Sequence, residues 1–276
     1  MNTLPDLGVG LGYRPEIHDG LLAGIDAVDW LEVITDSYLD RPQALVALRE
    51  LTGGRTVVPH GLGMSVGSES PPDEEYVDAV ARLADAIDAP WVSDHLCFTR
   101  EDGIDLDALT PVQRTREAAR RIAAHADYVQ DRLGRPFILE NIAYYVDVGG
   151  PLSEAEFINE VFAHTACGLL LDLNNVMVNA RNHGYDPVAF VAALPLERVV
   201  QVHLAGNAET AQIDGVLIDG HDGPVGEDVL DLLAAVLRRT TPKGVLIERD
   251  RNFPSDFGVL AAELDRVRAV LASGVA

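Results

Sequence analysis

Gly168-Leu169-Leu170-Leu171-Asp172-Leu173-Asn174-Asn175 is a short apolar run that breaks into a carboxylate and then two amides. A run this brief, rich in branched aliphatics, reads as a strand buried on both faces, which a parallel sheet covered by helices requires. Side chains alternate along a strand, so Asp172 sits at the last inward-facing position, at the end where α/β barrels build their active sites. The same form recurs in Val57-Val58-Pro59-His60, Val92-Ser93-Asp94-His95, Ile138-Leu139-Glu140-Asn141, Val200-Gln201-Val202-His203 and Leu246-Ile247-Glu248-Arg249. Glu32, in Trp30-Leu31-Glu32-Val33-Ile34, adds a seventh polar residue within an apolar run.

Eight such runs are spaced along the chain, at Leu7–Gly12, Asp29–Ile34, Thr56–His60, Trp91–Leu96, Pro136–Asn141, Gly168–Leu173, Val199–Leu204 and Gly244–Arg249. Helical patterns lie between them, clearest in Asp73–Asp88, Pro111–Leu133, Ser153–Cys167, Glu227–Arg239 and Ser255–Ala272. Ser153 opens a capping box, and Pro111 stands where proline often begins a helix. This alternation predicts a (β/α)₈ TIM barrel of the xylose isomerase-like kind, one domain over residues 1–276. An open doubly wound sheet is disfavoured, because Gly8, Gly10 and Gly12 do not continue into a phosphate-binding Gly-x-Gly-x-x-Gly loop. Those glycines read instead as small inward residues that leave room inside the barrel. The longer loops Gly61–Pro72 and Asn207–Pro224 are expected on the active face.

Composition narrows the partners. Against 44 Asp and Glu there are 21 Lys and Arg, a formal net charge of −23, and such a surface repels nucleic acid and anionic membrane. Cys97 and Cys167 are too few for a disulfide framework or a thiolate cage, which fits a reducing compartment and makes the cytoplasm the expected location. Met1 to Asp6 lacks a secretory pattern, and no apolar run is long enough to span a bilayer.

A lone histidine or acid at a strand end is more often solvated or hydrogen-bonded than functional. Three histidines and three carboxylates converging on one barrel mouth are different, since buried like charges are costly unless a cation binds them. Imidazole and carboxylate together suit Zn²⁺, Fe²⁺ or Mn²⁺, and the donor number suits two or three ions bridged by carboxylates. Asp219-Gly220-His221, after the seventh strand, offers a further pair. His183, placed in the loop after the sixth strand, is either a ligand or an acid/base group. His18, His125 and His164 fall on helices or a helix start and read as structural, as do the two cysteines.

The order His60, His95, Glu140, Asp172, His203, Asp219, His221, Glu248 resembles the ligand order of endonuclease IV and the xylose isomerase-like barrels, from which Asn175 departs where endonuclease IV has a histidine. A fuller resemblance is carried by Gly8-Val-Gly-Leu-Gly-Tyr-Arg14, Pro59-His-Gly-Leu-Gly-Met-Ser-Val-Gly67, Ser93-Asp-His-Leu96, Leu139-Glu-Asn-Ile142 and Leu171-Asp-Leu-Asn-Asn-Val176 leading to Asn182-His-Gly184. With His203-Leu-Ala-Gly206 and Ile247-Glu-Arg-Asp250, these look like the multinuclear non-heme iron-dependent oxidases (MNIO), the family of the methanobactin biosynthesis catalytic subunit. The resemblance implies two or three iron ions, O₂ as co-substrate, and modification of a ribosomally made precursor peptide, often at cysteine, with a partner protein that binds the leader. It also implies His60, His95, Glu140, Asp172, Asn175, His203, Asp219, His221 and Glu248 as iron ligands, with His183 added. Glu140, Asp172 and His183 are the residues expected to take part in catalysis.

Three other readings share much of this pattern. A zinc-dependent abasic-site endonuclease would want a basic cleft, which the charge argues against. A sugar isomerase or epimerase would shuttle a proton beside a carbonyl and need no O₂. A non-catalytic metal-binding scaffold would hold the ions and turn nothing over.

Overall fold

The computed structural model describes residues 4–208, 212–213 and 215–274. Eight parallel strands close into a barrel: β1 (Gly8–Gly12), β2 (Trp30–Ile34), β3 (Val57–His60), β4 (Val92–His95), β5 (Phe137–Glu140), β6 (Gly168–Asp172), β7 (Val199–Leu204) and β8 (Gly244–Ile247). Each pairs with its neighbours in chain order, and β1 closes on β8. The eight sequence runs and the barrel they predict are therefore what forms. Around it lie α1 (His18–Gly24), α2 (Pro42–Thr52), α3 (Glu74–Ala86), α4 (Arg116–Leu133), α5 (Glu154–Ala163), α6 (Leu173–His183), α7 (Pro187–Ala192), α8 (Glu227–Leu237) and α9 (Phe257–Gly274).

Two layers of buried residues account for the shape. Between sheet and helices sits the larger core, built from outward strand residues such as Val9, Leu31, Leu139, Leu171 and Val202 packed on Val80, Ile122, Val161, Leu233 and Leu264 of the helices. Inside the barrel, Trp30, Val58, Trp91, Ile138, Leu170 and Leu246 form a separate apolar plug, with the two indoles edge to face at 6.4 Å. Of the glycines expected to make room, Gly10 does so, since a Cβ there would lie 2.4 Å from Cε2 of Trp30, whereas Gly8 has a left-handed φ of 77° and a Cβ there would meet Asp29.

Three local readings need correction. Helix α4 begins at Arg116 and not at Pro111, because Thr115 caps it by accepting the N–H of Ala118 at 3.1 Å. The residues before it form a hairpin, Phe98–Glu101 with Ile104–Thr110, that the helix and strand periodicities do not predict. Its signal is Asp102-Gly103, both left-handed at φ 49° and 76°, as a two-residue hairpin turn requires. Third, the residues after Asp172 continue directly as α6 and are not a loop. The capping box at Ser153 is present as read, with Glu156 returning to the Ser153 N–H at 2.8 Å. Of the loop Asn207–Pro224, positions 209–211 and 214 lie outside the described residues.

Candidate metal centre

Because every barrel strand ends at the same face, the polar residues that close the apolar runs are brought together there. His60, His95, Glu140 and Asp172 are the last residues of β3, β4, β5 and β6, His203 lies in β7 and Glu248 follows β8 directly. Register decides which of them meet: His95 stands opposite Glu140 and Asp172 opposite His203. With His221 from the loop after β7, these seven are each at most 7% exposed. They form three groups able to hold an ion, His60/His95/Glu140, Glu140/Asp172/His203 and Asp172/His221/Glu248, with the ligand atoms of each group within 4.8 Å of one another. Glu140 belongs to the first two groups and Asp172 to the last two, so each is placed to bridge.

The hydrogen bonding in this cluster is unfinished in a specific way. Oε2 of Glu140, Oδ2 of Asp172, Oδ1 of Asn175, Nδ1 of His203 and Nε2 of His221 are buried and have no hydrogen-bond partner. An unmade hydrogen bond at a buried polar atom costs about 1–3 kcal/mol, and only Thr35, Tyr128 and Arg249 carry others among the described residues. Oε2 of Glu140 lies 3.3 Å from Nε2 of His60, 3.7 Å from Nε2 of His95 and 3.6 Å from Nδ1 of His203. Asp219 Oδ1 is 2.8 Å from Nε2 of His221, yet not aligned as a hydrogen bond to it. Lone pairs aimed at shared points, from nitrogen and oxygen donors, suit divalent transition metals.

The opposite edge of several rings is held. Nδ1 of His60 meets Ser93 Oγ at 2.9 Å, Nδ1 of His95 meets the Gly61 carbonyl at 3.1 Å, and Nε2 of His203 faces Glu32 at 3.1 Å. Such contacts orient a ring and select which nitrogen faces the ion. Arg14 does the same for a carboxylate: its guanidinium bonds Oε1 of Glu248 at 2.8 Å and Asp250 at 2.5 Å, leaving Oε2 of Glu248 toward His203 and His221 at 3.3 Å each.

Helix α6 organises the loops around the centre. Asp172 is its N-cap, accepting the Asn175 N–H through Oδ1. Four asparagines then tie it to two segments, the one after β5 and the loop after β7. Asn174 donates to Asp219 at 2.7 Å, Asn175 to the Asn141 carbonyl at 3.1 Å, Asn179 to the Ile142 carbonyl at 2.9 Å, and Asn182 exchanges two hydrogen bonds with Leu217. Asn174 and Asn182 are thus the ties to the loop bearing Asp219 and His221, and Asn175 and Asn179 the ties to the segment after β5.

Charge is shared unevenly among these groups. Burial pushes Glu140 up to about 8 and Asp172 up to about 6, against the pull of nearby histidines. Burial opposes protonation of His95, but Glu140 and Asp94 outweigh it and hold the ring at about 9. His60, buried beside His95 and His203, falls well below the ordinary range. A divalent cation among them would displace these protons and satisfy both carboxylates.

His183 is not in any of the three groups. It occupies the last turn of α6, stacked on Tyr144 at 4.4 Å, with Nε2 at 2.9 Å from the Tyr144 carbonyl. Asn175 is at the centre, its Nδ2 3.4 Å from Glu140 and its Oδ1 free of partners. Asp219 adjoins the third group through His221. His18 and His125 lie on α1 and α4, and His164 ends α5. Burial drives the Cys97 thiol well above its ordinary range, and Cys167 is pushed up to about 12, as expected of inert core cysteines. Arg14, Ser93 and Gln201 were not singled out in the sequence, since an arginine before a helix or a polar residue inside a strand gives no local sign of what it faces.

Comparison with known proteins agrees with this geometry. The fold is shared with an L-ribulose 3-epimerase (TM-score 0.61, 16% identity, 96% of this chain and 95% of that one). It is also shared with a xylose isomerase domain containing protein from Salmonella typhimurium LT2 (TM-score 0.63, 14% identity, 98% and 99%). UPF0276 proteins from Caulobacter vibrioides and Bordetella bronchiseptica are each 40% identical, over 99% and 97% of this chain and 98% and 93% of their own. The family model for the RiPP precursor modification enzyme MbnB/TglH/ChrH matches residues 8–272. The chain therefore belongs to the MbnB/TglH/ChrH family of RiPP precursor modification enzymes, which act on ribosomally made precursor peptides.

Proposed function

We propose that this enzyme is a multinuclear non-heme iron oxidase that uses O₂ to modify a residue, cysteine by preference, of a ribosomally synthesised precursor peptide. The observation that carries the reading is the pair of buried, partnerless carboxylate oxygens, Oε2 of Glu140 and Oδ2 of Asp172, each shared between two adjacent ligand groups. Family membership supports the peptide substrate. Its resemblance to iron oxidases favours iron over other metals that accept the same donors.

On this reading His60, His95 and Glu140 would hold one ion, Glu140, Asp172 and His203 a second, and Asp172, His221 and Glu248 a third, and Asp219 and the Asn175 amide oxygen would complete the set. Bound iron would supply a one-electron redox couple that protein side chains lack. The chain's own task is to fix donor positions: Ser93, the Gly61 carbonyl, Glu32 and Arg14 pin the ligands from behind, and the interior plug below them excludes water. His183 serves through the loop after β5, which its Nε2–H holds at Tyr144. The precursor enters over the loops at the barrel mouth, brought by a partner protein that binds its leader.

The test is metal analysis of protein purified without oxygen, with Mössbauer spectroscopy. Two or three irons per chain, followed by O₂ uptake with the cognate peptide, is the expected result. Zinc alone, with no binding of added ferrous iron, would return the protein to a hydrolase or isomerase chemistry on the same barrel.

A further inference from the structure

We infer that Glu32 is a positioning residue for the centre: together with Gln201 and Trp91 it fixes the His203 ring so that Nδ1, and not Nε2, faces the position between Glu140 and Asp172. The inference rests on the metal-centre reading above and adds Gln201 and Trp91 to the contact between Glu32 and His203.

Glu32, Trp91, Gln201 and His203 are at most 3% exposed and form one chain of contacts across the barrel interior. The Trp91 indole N–H can only donate, and it donates to Oε1 of Gln201 at 2.7 Å. That bond fixes which end of the amide is oxygen, so Nε2 of Gln201 points the other way, where it donates to Oε2 of Glu32 at 2.6 Å. Glu32 in turn has both oxygens beside Nε2 of His203, Oε1 at 3.1 Å and Oε2 at 3.2 Å, and Nε2 of Gln201 lies 2.7 Å from the same ring nitrogen. Nε2 can therefore accept from Gln201 or donate to Glu32, and the bond to the carboxylate, being charge-assisted, is about twice as strong as the neutral one, which favours the hydrogen on Nε2.

With its hydrogen on Nε2, a neutral ring presents a lone pair at Nδ1. That atom is buried, has no hydrogen-bond partner, and lies 3.3 Å from Oε2 of Glu248, 3.6 Å from Oε2 of Glu140 and 4.0 Å from Oδ2 of Asp172. The strand pattern makes this arrangement: Gln201 and His203 are two apart on β7 and so share its inward face, and Trp91 reaches them across the barrel. His60 and His95 show the reverse polarity, with Nδ1 pinned and Nε2 toward Glu140. The central position thus takes its imidazole through a different nitrogen from the first, and Glu32 sets that difference.

Metal-free wild type, Glu32→Ala and Glu32→Gln would be titrated with Fe²⁺ under anaerobic conditions by calorimetry, with anomalous scattering locating the ions. Loss of an orienting partner typically costs about 10- to 100-fold in metal affinity. The expected result is a drop of that size in Glu32→Ala, confined to the Glu140/Asp172/His203 position. Glu32→Gln, whose amide oxygen can still accept the Nε2–H, shows a smaller drop at the same place and carries the test if the alanine variant does not fold. Unchanged binding in the variants, or equal weakening at all positions as a general packing defect would give, overturns the inference. A wild-type chain that binds no Fe²⁺ overturns the metal-centre reading itself.

Discussion

Asp172 divides its two carboxylate oxygens between structure and chemistry: Oδ1 accepts the backbone N–H of Asn175 at 2.6 Å and caps α6, while Oδ2 is buried, unpartnered and 4.0 Å from both His203 and His221. One residue therefore starts the helix that organises the loops and stands between two ion positions.

Asp172→Asn keeps an oxygen for the cap and removes the bridging charge. Its metal-free form is expected to unfold within about 1 kcal/mol of wild type, whereas Asp172→Ala loses about 1 kcal/mol more through the missing cap. Both should lose iron at the central and third positions. Urea midpoints paired with metal analysis check this, and full iron content in Asp172→Asn would refute the bridging role.

Arg14 and Glu248 form a pair with side chains 11% and 9% exposed. Arg14→Met leaves that carboxylate without its anchor, a change that costs about 3–5 kcal/mol when a buried pair is broken. Affinity at the Asp172/His221/Glu248 position should fall about 10- to 100-fold. Calorimetric titration that shows no change there would mean Arg14 serves the fold alone.

Glu154, mostly buried on α5, bonds Tyr144 at 2.8 Å, and burial pushes its carboxyl up to about 7. A carboxyl raised on folding binds more protons in the native state, so its contribution to stability is favourable at low pH and is lost as pH rises from about 4.5 to about 7. Glu154→Gln removes the dependence. The variant should match wild type near pH 4.5 and exceed it by about 3 kcal/mol at pH 8, as read from urea unfolding at the two pH values; parallel curves would contradict the shift.

Gly10→Ala should be destabilising by about 1–3 kcal/mol, the usual cost of overpacking, because the new methyl meets the Trp30 ring inside the barrel. An unchanged melting temperature would show that the indole can move aside.

The barrel and most of its centre were legible in the sequence for one reason. A strand buried on both faces is apolar throughout, so the polar residue at its mouth end stands out, and His60, His95, Glu140, Asp172, His203 and Glu248 were all found that way. Asp219 and His221 were picked out by their position after β7, and of the two the structure brings His221 into a ligand group. The element holding His183 was not, since α6 begins without a break at the end of β6 and carries asparagines where an amphipathic pattern would have apolar residues. The hairpin Phe98–Thr110 escaped a reading based on strand and helix periods, although its Asp102-Gly103 turn was present.

By itself the sequence determined the eight strands, the face on which chemistry gathers and the kinds of donor atom offered, because these follow from local alternation and composition. Which donors share an ion was decided by tertiary structure alone. Register sets His95 against Glu140 and Asp172 against His203, and contacts from residues distant in the chain, such as Glu32 to His203 and Arg14 to Glu248, choose which atom of each ligand faces inward. Orientation of a side chain depends on what stands behind it, and nothing in the neighbouring residues of the chain encodes that.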